Sequence, residues 1–440
     1  MKKDSARLTN HTEQKSQPGT SPNLRDSPSR WWMMALLAIA MMVCYAHRGT
    51  LSVAAPFMLK ELNLSASVMG ILLSAFYWSY SMMQLPAGWL VDRYGVKRSY
   101  SLGFALWSTA SAFTGFAHNL VTLTLLRLLL GVGQSVAFPA SARAVAQWFP
   151  DKERGTVTAT YLTGVRLGQA LVGVTGVFFL SNYGLKLFFL WTGILPMLWL
   201  LPWNRFLGRW EREPAAPVTF TRAASQKATF VESLKLLRQR SVLGIFLGFF
   251  AYDYAWFVYV TWLPGYLVME RKFSPREMGI YSSVPYVLMS IIIFLSGVAS
   301  DWLVRQGYSE TRVRKAFIAA GLGIGCLIIP AGMVEDKLNA VWLLTISLAG
   351  LGISSPNTWT LTQAVCSKGI VGTVSGIQNL GGNLGGIIAP VLTGYIAHTT
   401  QSFALALGIT GAILVVGMLS YSLLVSRKVA SLEVTHPMSK

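Results

Sequence analysis

The sequence predicts an all-α membrane protein of twelve transmembrane helices in two six-helix halves, and three observations carry that prediction. Hydrophobic residues make up 53% of the 440 and charged residues only 12%, against roughly one quarter charged in a soluble globular chain. Apolar stretches of about 20 residues, the length that crosses a bilayer as a helix, recur twelve times. The longest polar stretch after the N-terminal tail, between Arg205 and Arg240, divides them six and six. The ten-residue alternating segments of a membrane barrel are not seen.

Taken in order, residues 1–30 are polar and rich in Ser, Lys and Pro, and are expected to be a disordered cytosolic tail. No signal-peptide cleavage pattern follows the first apolar run, so Trp31 onward reads as a retained helix. Helix 1 (31–54) carries no charge until Arg48, in the phrase CYAHRGTLS. Helices 2 (68–90) and 3 (99–117) flank the basic loop GWLVDRYGVKR. Helix 4 (120–143) holds Arg127 and helix 5 (156–181) holds Arg166; helix 6 (185–204) completes an N-terminal bundle of 31–204. After the linker 205–240 come helix 7 (241–268) with Asp253, then helices 8 (279–300), 9 (316–334), 10 (339–360), 11 (371–397) and 12 (402–426). They form a C-terminal bundle of 241–426, and 427–440 is a second cytosolic tail.

A net charge of +19 invites a nucleic-acid reading, but the charge is sided. With residue 1 in the cytosol, 28 of the 37 Lys and Arg lie on the cytosolic side and six outside. That is the positive-inside imbalance, with anionic lipid as the counter-surface. Nucleic acid is therefore not an expected partner, the bilayer is, and both termini are placed in the cytosol of a cytoplasmic membrane. Cys44, Cys326 and Cys366 are too scattered for a disulfide framework or a metal cluster and read as small packing residues. No metal or cofactor is expected.

Ionisable groups inside a membrane cost from about 3 to more than 10 kcal/mol unless they face a cavity or a partner, so they point to function. They are His47, Arg48, Arg127, Arg166 and Asp253. At roughly 1.5 Å per residue, Arg48 lies about 26 Å from the start of helix 1 and Arg127 about 10 Å from the outer start of helix 4. Both fall in the outer half. Tyr45, Arg48 and Ser52 share one helix face, as do Arg127, Gly131 and Gln134. Two guanidiniums at similar depth suit a carboxylate, which their planar forks can bind through two N–H groups. In LTGVRLGQA, Gly164 and Gly168 make a close-packing face, and Arg166 points about 200° away from it. Asp253 sits at similar depth in helix 7, so an Arg166–Asp253 bridge is an expectation to test.

The loop GWLVDRYGVKR, with Gly88, Asp92, Arg93, Gly95 and Arg98, recurs after helix 8 as GVASDWLVRQGY, with Gly297, Asp301 and Arg305. A signature repeated at equivalent places marks an internal repeat. On these residues the chain resembles the major facilitator superfamily, whose two six-helix halves rock about a central site. A carboxylate at Asp92 could face the positive N-terminus of helix 11 near Gly372 and close the cytosolic side. The phrases SAFYWSYSMMQLPAGWLVDR, AFPA, WFPDKERG, TWLPGYL and NLGGNLGGIIAPVLTGYIA are similar to the anion:cation symporter family, over about Trp31 to Ser426. That family includes bacterial galactonate, glucarate and hexuronate permeases.

In its sugar-acid members, a tyrosine and an arginine at the end of helix 1, a helix-2 tyrosine, and polar or aromatic residues of helices 10 and 11 hold the substrate. The resemblance places these roles on Tyr45, Arg48, Tyr80, Thr358, Trp359 and Asn379, with Gln378 adjacent. Proton-coupled members have an aspartate before the helix-1 arginine and a glutamate on helix 4; here those positions are His47 and Gln134. Glutamine does not titrate, whereas histidine does, near pH 6.5 when unperturbed. His47 and Asp253 are therefore the candidate proton carriers. Gly381, Gly382, Gly385 and Gly386 supply small-xxx-small spacing for helix contact.

The reading is a monomeric carrier that moves a small organic anion, a sugar acid, by alternating access with proton coupling, and makes or breaks no covalent bond. Uniport or anion exchange on the same fold, and a ligand sensor without flux, are the alternatives.

Overall fold

The computed structural model describes residues 29–149, 151–208, 235–366, 371–425 and 429. Among them the backbone is helical almost throughout, as an apolar solvent demands: with no water to bond, each N–H and C=O must be satisfied within its own segment. The spans run longer than their apolar cores and project beyond them. Helix 1 is Arg30–Glu61, helix 7 is Arg240–Met269, helix 8 is Pro275–Arg305, helix 10 is Lys337–Val365 and helix 11 is Val371–Thr400. Helix 2 is Ala66–Met82 continued by the first turns of Gln84–Thr114, and helix 3 is the rest of that element. Helix 4 joins Leu120–Gln134 to Ala137–Trp148, helix 9 joins Glu310–Gly325 to Ile328–Met333, and helix 12 joins Ala404–Leu419 to a π turn at Ser420–Leu424.

Nine described stretches are by themselves long and apolar enough to cross a membrane. The full complement of twelve appears once the glycine turns are read. Gly95 (φ 83°) breaks Gln84–Thr114 into helices 2 and 3, and Gly184 (φ 74°) breaks Asp151–Ile194 into helices 5 and 6. These left-handed conformations are open to glycine at little cost. Helix starts follow local capping: Ser65 accepts from Val68 N at 3.3 Å, Asn119 from Thr122 N at 2.8 Å, and Ser274 and Glu277 form a reciprocal capping box.

The repeated loop gains a structural meaning. After helix 2, Arg93 lies on the rings of Trp89 and Tyr94, Arg98 is exposed, and Ser99 Oγ donates to Leu90 O at 3.2 Å across the Gly95 turn. After helix 8, Gly307 (φ 93°) makes the equivalent turn. Among the described residues, a side chain at Gly88 or Gly297 would meet no other atom within 4 Å. The Asp92 side chain, the surroundings of Gly372 and residues 367–370 lie outside what the structure describes, and with them the expected closing contact. Asp301 is engaged inside its own half: Arg314 Nη2 reaches its carboxylate at 2.5 Å, and Arg314 Nη1 donates to Ser300 Oγ at 2.6 Å and Asn357 Oδ1 at 3.3 Å. Helices 8, 9 and 10 are thereby tied together. Arg314→Met leaves Ser300 and Asn357 short of their partner and should lower stability by about 1–3 kcal/mol, read as a lower melting midpoint of the purified protein.

Both tails meet the bundle at one end, called here the terminal end; the opposite is the far end. In the far half the two six-helix bundles touch closely. A Cβ on Gly70 would lie 2.5 Å from Pro390 O, and one on Gly394 would lie 2.5 Å from Ala66 O, so helices 2 and 11 meet backbone to backbone. Gly173 and Gly279 bring helices 5 and 8 together in the same way. Three hydroxyls cross the boundary to main-chain carbonyls: Ser52 to Thr261 O (2.7 Å), Ser74 to Ile387 O (2.8 Å) and Ser283 to Ala170 O (2.7 Å).

Candidate functional site

Arg48 is brought to the interior by its place on helix 1, among three rings. Its Cζ lies 4.2 Å from the centroid of Tyr45, 4.5 Å from Tyr80 and 4.9 Å from Phe76. Such a cage stabilises a cation in a desolvated place. Its Nε donates to Gln134 Oε1 at 2.9 Å, and Gln134 Nε2 donates in turn to Cys44 O at 2.9 Å. Arg127, one helical face below Gln134, lies 5.6 Å from the same Phe76 ring. Both guanidiniums thus lie within reach of one phenylalanine ring. Only 5% of Arg48 and 4% of Arg127 is exposed, yet Arg48 Nη2 and Arg127 Nε have no hydrogen-bond acceptor among the described residues. Buried donors left in this state favour an anionic oxygen strongly.

Four of the expected residues, Tyr45, Arg48, Tyr80 and Arg127, thus converge. His47 does not join them. Successive helical residues point about 100° apart, so its ring faces helix 6, where Nε2 donates to Thr192 O at 2.5 Å. It is buried between helices 1 and 6 of one bundle.

From the second half, Trp359 is 37% exposed with its ring edge on Phe249, 5.1 Å between centroids. Asn379 is exposed on helix 11. One turn on, Gly382 lies against the Asp253 carboxylate, and Gly386 against Tyr77 and Phe257, which identifies that face as the one turned to helices 7 and 2. Gln378 points elsewhere, buried between helices 10 and 11: Thr362 Oγ1 donates to its Oε1 at 2.5 Å, leaving its Nε2 without an acceptor. Thr358 is buried, with its hydroxyl bonded to its own helix at Ser355 O, 2.9 Å.

Gly164 and Gly168 pack on the helix 1 backbone at Ala38 and Met42, and Arg166 leaves helix 5 in the other direction, as the spacing requires. Its Cζ lies 3.9 Å from the Trp256 ring centroid of helix 7, so it reaches across the boundary between the halves. The expected bridge to Asp253 is not made. The ion pairs among the described residues join Arg314 to Asp301 and Glu310, and Lys337 to Glu277. The Asp253 carboxylate turns instead to helix 11, where it lies against Gly382. The physical reason is that the missing side chain of Gly382 leaves room for the carboxylate on helix 11, while the guanidinium lies on Trp256, one turn from Asp253 on helix 7.

Sequence reasoning singled out neither Gln134 as the partner of Arg48 nor Trp256 as the platform of Arg166. Both signals were present, as the same-face spacings Arg127–Gly131–Gln134 and Asp253–Trp256.

A family model described as Major Facilitator Superfamily matches residues 37–390. Among curated relatives, a D-galactonate transporter of Escherichia coli is 31% identical over 90% of this chain and 95% of its own length. A probable galactarate/D-glucarate transporter of Escherichia coli is 30% identical over 89% and 94%, and a hexuronate transporter of Bacillus subtilis 29% over 88% and 93%. Among solved structures, a bacterial homologue of the human lysosomal transporter Spinster superposes with a TM-score of 0.73 at 18% identity, over 90% of this chain and 97% of the other. A D-xylose-proton symporter gives 0.72 at 15%, over 91% and 98%. Twelve helices in two bundles, a glycine turn repeated after helices 2 and 8, and matches along most of the chain lead to one assignment: this multi-pass membrane protein belongs to the Major Facilitator Superfamily of transporters.

Proposed function

We propose that this protein carries a sugar acid across a cytoplasmic membrane by alternating access, coupled to protons. The observation that carries the reading is the caged Arg48 beside Arg127, two buried guanidiniums with N–H groups that lack acceptors. A carboxylate supplies both the charge and the oxygens they need. Trp359 and Asn379 offer a flat apolar face and an amide, the complement of a hydroxylated carbon chain. The relatives' names, galactonate, galactarate/D-glucarate and hexuronate, point to the same class.

The sided charge supports tails in the cytosol, with lipid rather than nucleic acid as the counter-surface, and the carrier is read as a monomer. In that orientation the far end is external and closed. Asp253 is the better candidate for the proton, because it sits partly exposed at the boundary between the halves while His47 is tied to Thr192 inside one bundle.

Vesicles reconstituted with the protein test the proposal. Labelled D-galactonate, galactarate or a hexuronate should accumulate above its outside concentration when the lumen is alkaline, and a protonophore should abolish the excess. Flux that only equalises concentrations at every pH would replace symport by uniport. Binding without flux would turn the reading to a sensor.

A further inference from the structure

The charges in the interior do not balance for a monoanion. Arg48, Arg127 and Arg166 bring three positive charges from the first half, and Asp253 brings one negative charge from the second. One carboxylate at Arg48 would still leave a positive surplus, and buried surplus charge is costly in low dielectric. Arg166 is the cation whose role the carboxylate site at Arg48 does not use.

Its setting has the form of a binding position. The guanidinium lies on the Trp256 ring at 3.9 Å, and Trp256 is itself steadied edge-on by Tyr286, 5.8 Å between centroids. A guanidinium that stacks through its face keeps its N–H groups free at its edge, where a carboxylate binds in the plane. Asp253 is kept beside it, without a direct ion pair, by the space that the missing side chain of Gly382 leaves on helix 11. Besides Arg166 from helix 5, the titratable groups near Asp253 are Tyr77 of helix 2, Tyr252 of its own helix and Tyr421 of helix 12. Gly168 packs on Met42 and Ala46 of helix 1 and Gln169 on Gly49, so Arg166 leaves helix 5 roughly two turns of helix from the level of Arg48 along the same pair of helices.

We propose that Arg166 on its Trp256 platform is a second carboxylate-binding position, and that the preferred solute is a dicarboxylic sugar acid whose two ends are held by Arg48 and Arg166. The proposal rests on the sugar-acid reading above and narrows it. Asp253 competes with the solute's distal carboxylate for the same guanidinium, so solute binding removes a favourable partner from Asp253 and the two events become linked.

Galactarate and D-galactonate are a matched pair of probes, because they share carbon number and differ at one terminal carbon in carrying a carboxylate or a hydroxyl. Titration calorimetry on the purified full-length protein should find galactarate bound at least about tenfold tighter, a difference of one charge-assisted contact. Arg166→Gln should bring that ratio close to one, and Arg166→Lys should retain part of it. Asp253→Asn should tighten galactarate severalfold, since the competing carboxylate is gone; a purely structural charge pair would predict weakening in both variants. Equal affinities in the unaltered protein, or a ratio that Arg166→Gln and Arg166→Lys both leave unchanged, would overturn the proposal. If galactonate binds and galactarate does not, the second position is wrong while the sugar-acid reading stands; if neither binds, both fall. Melting curves of each variant separate lost binding from lost fold.

Discussion

Arg48→Ala is expected to reduce sugar-acid uptake by at least about 30-fold, because removing one partner of a buried charge pair costs about 2–5 kcal/mol of binding. The protein should still insert, since the rings of Tyr45, Phe76 and Tyr80 and the packing of helix 1 on helix 5 do not depend on the guanidinium. Arg48→Lys should rescue little. An ammonium in the same cage keeps the charge but cannot both donate to Gln134 and present a planar fork to the solute. Uptake at near-normal rates in Arg48→Ala, with the protein present in the membrane, would remove Arg48 from the site.

Asp253→Asn is expected to separate transport from its driving force. The amide keeps the size of the side chain against Gly382 but no longer takes up a proton. Accumulation against a gradient should be lost, while exchange of labelled for unlabelled solute persists. The sign of the pH effect follows from protons travelling with the solute: in the unaltered carrier an alkaline lumen speeds net uptake, and in Asp253→Asn lumenal pH should make no difference. His47→Gln provides the contrast. Its ring holds Thr192 O between helices 1 and 6, so its loss should lower stability and leave the response to pH in place. If the pH response vanishes with His47 and survives without Asp253, the carrier of the proton is the histidine.

Much of this was legible in the sequence because helical geometry is local. The opposed directions of Gly164 and Arg166 follow from residue spacing alone, and the structure has Gly164 on helix 1 and Arg166 on Trp256. The turn after helix 2 needed only Gly95 to be noticed. What failed was the inference from neighbours in sequence to neighbours in space. His47 precedes Arg48, and Gln378 precedes Asn379, yet within each pair the side chains diverge by about 100°, into separate surroundings. Relations across the two halves were hidden for another reason. Whether Arg166 meets Asp253 or Trp256 depends on the rotation of one bundle against the other, and no local pattern encodes it.

The seam at the far end is stitched by serine hydroxyls reaching main-chain carbonyls of the opposite bundle. Ser283 is already shared between Ala170 O across the seam and Gly279 O on its own helix, at 2.7 and 2.8 Å. A hydroxyl that lets go of a stranger can turn back to its own spine, so unfastening strands no bare charge in oil. At Ser283, parting the seam therefore need leave no hydroxyl proton without a carbonyl to meet.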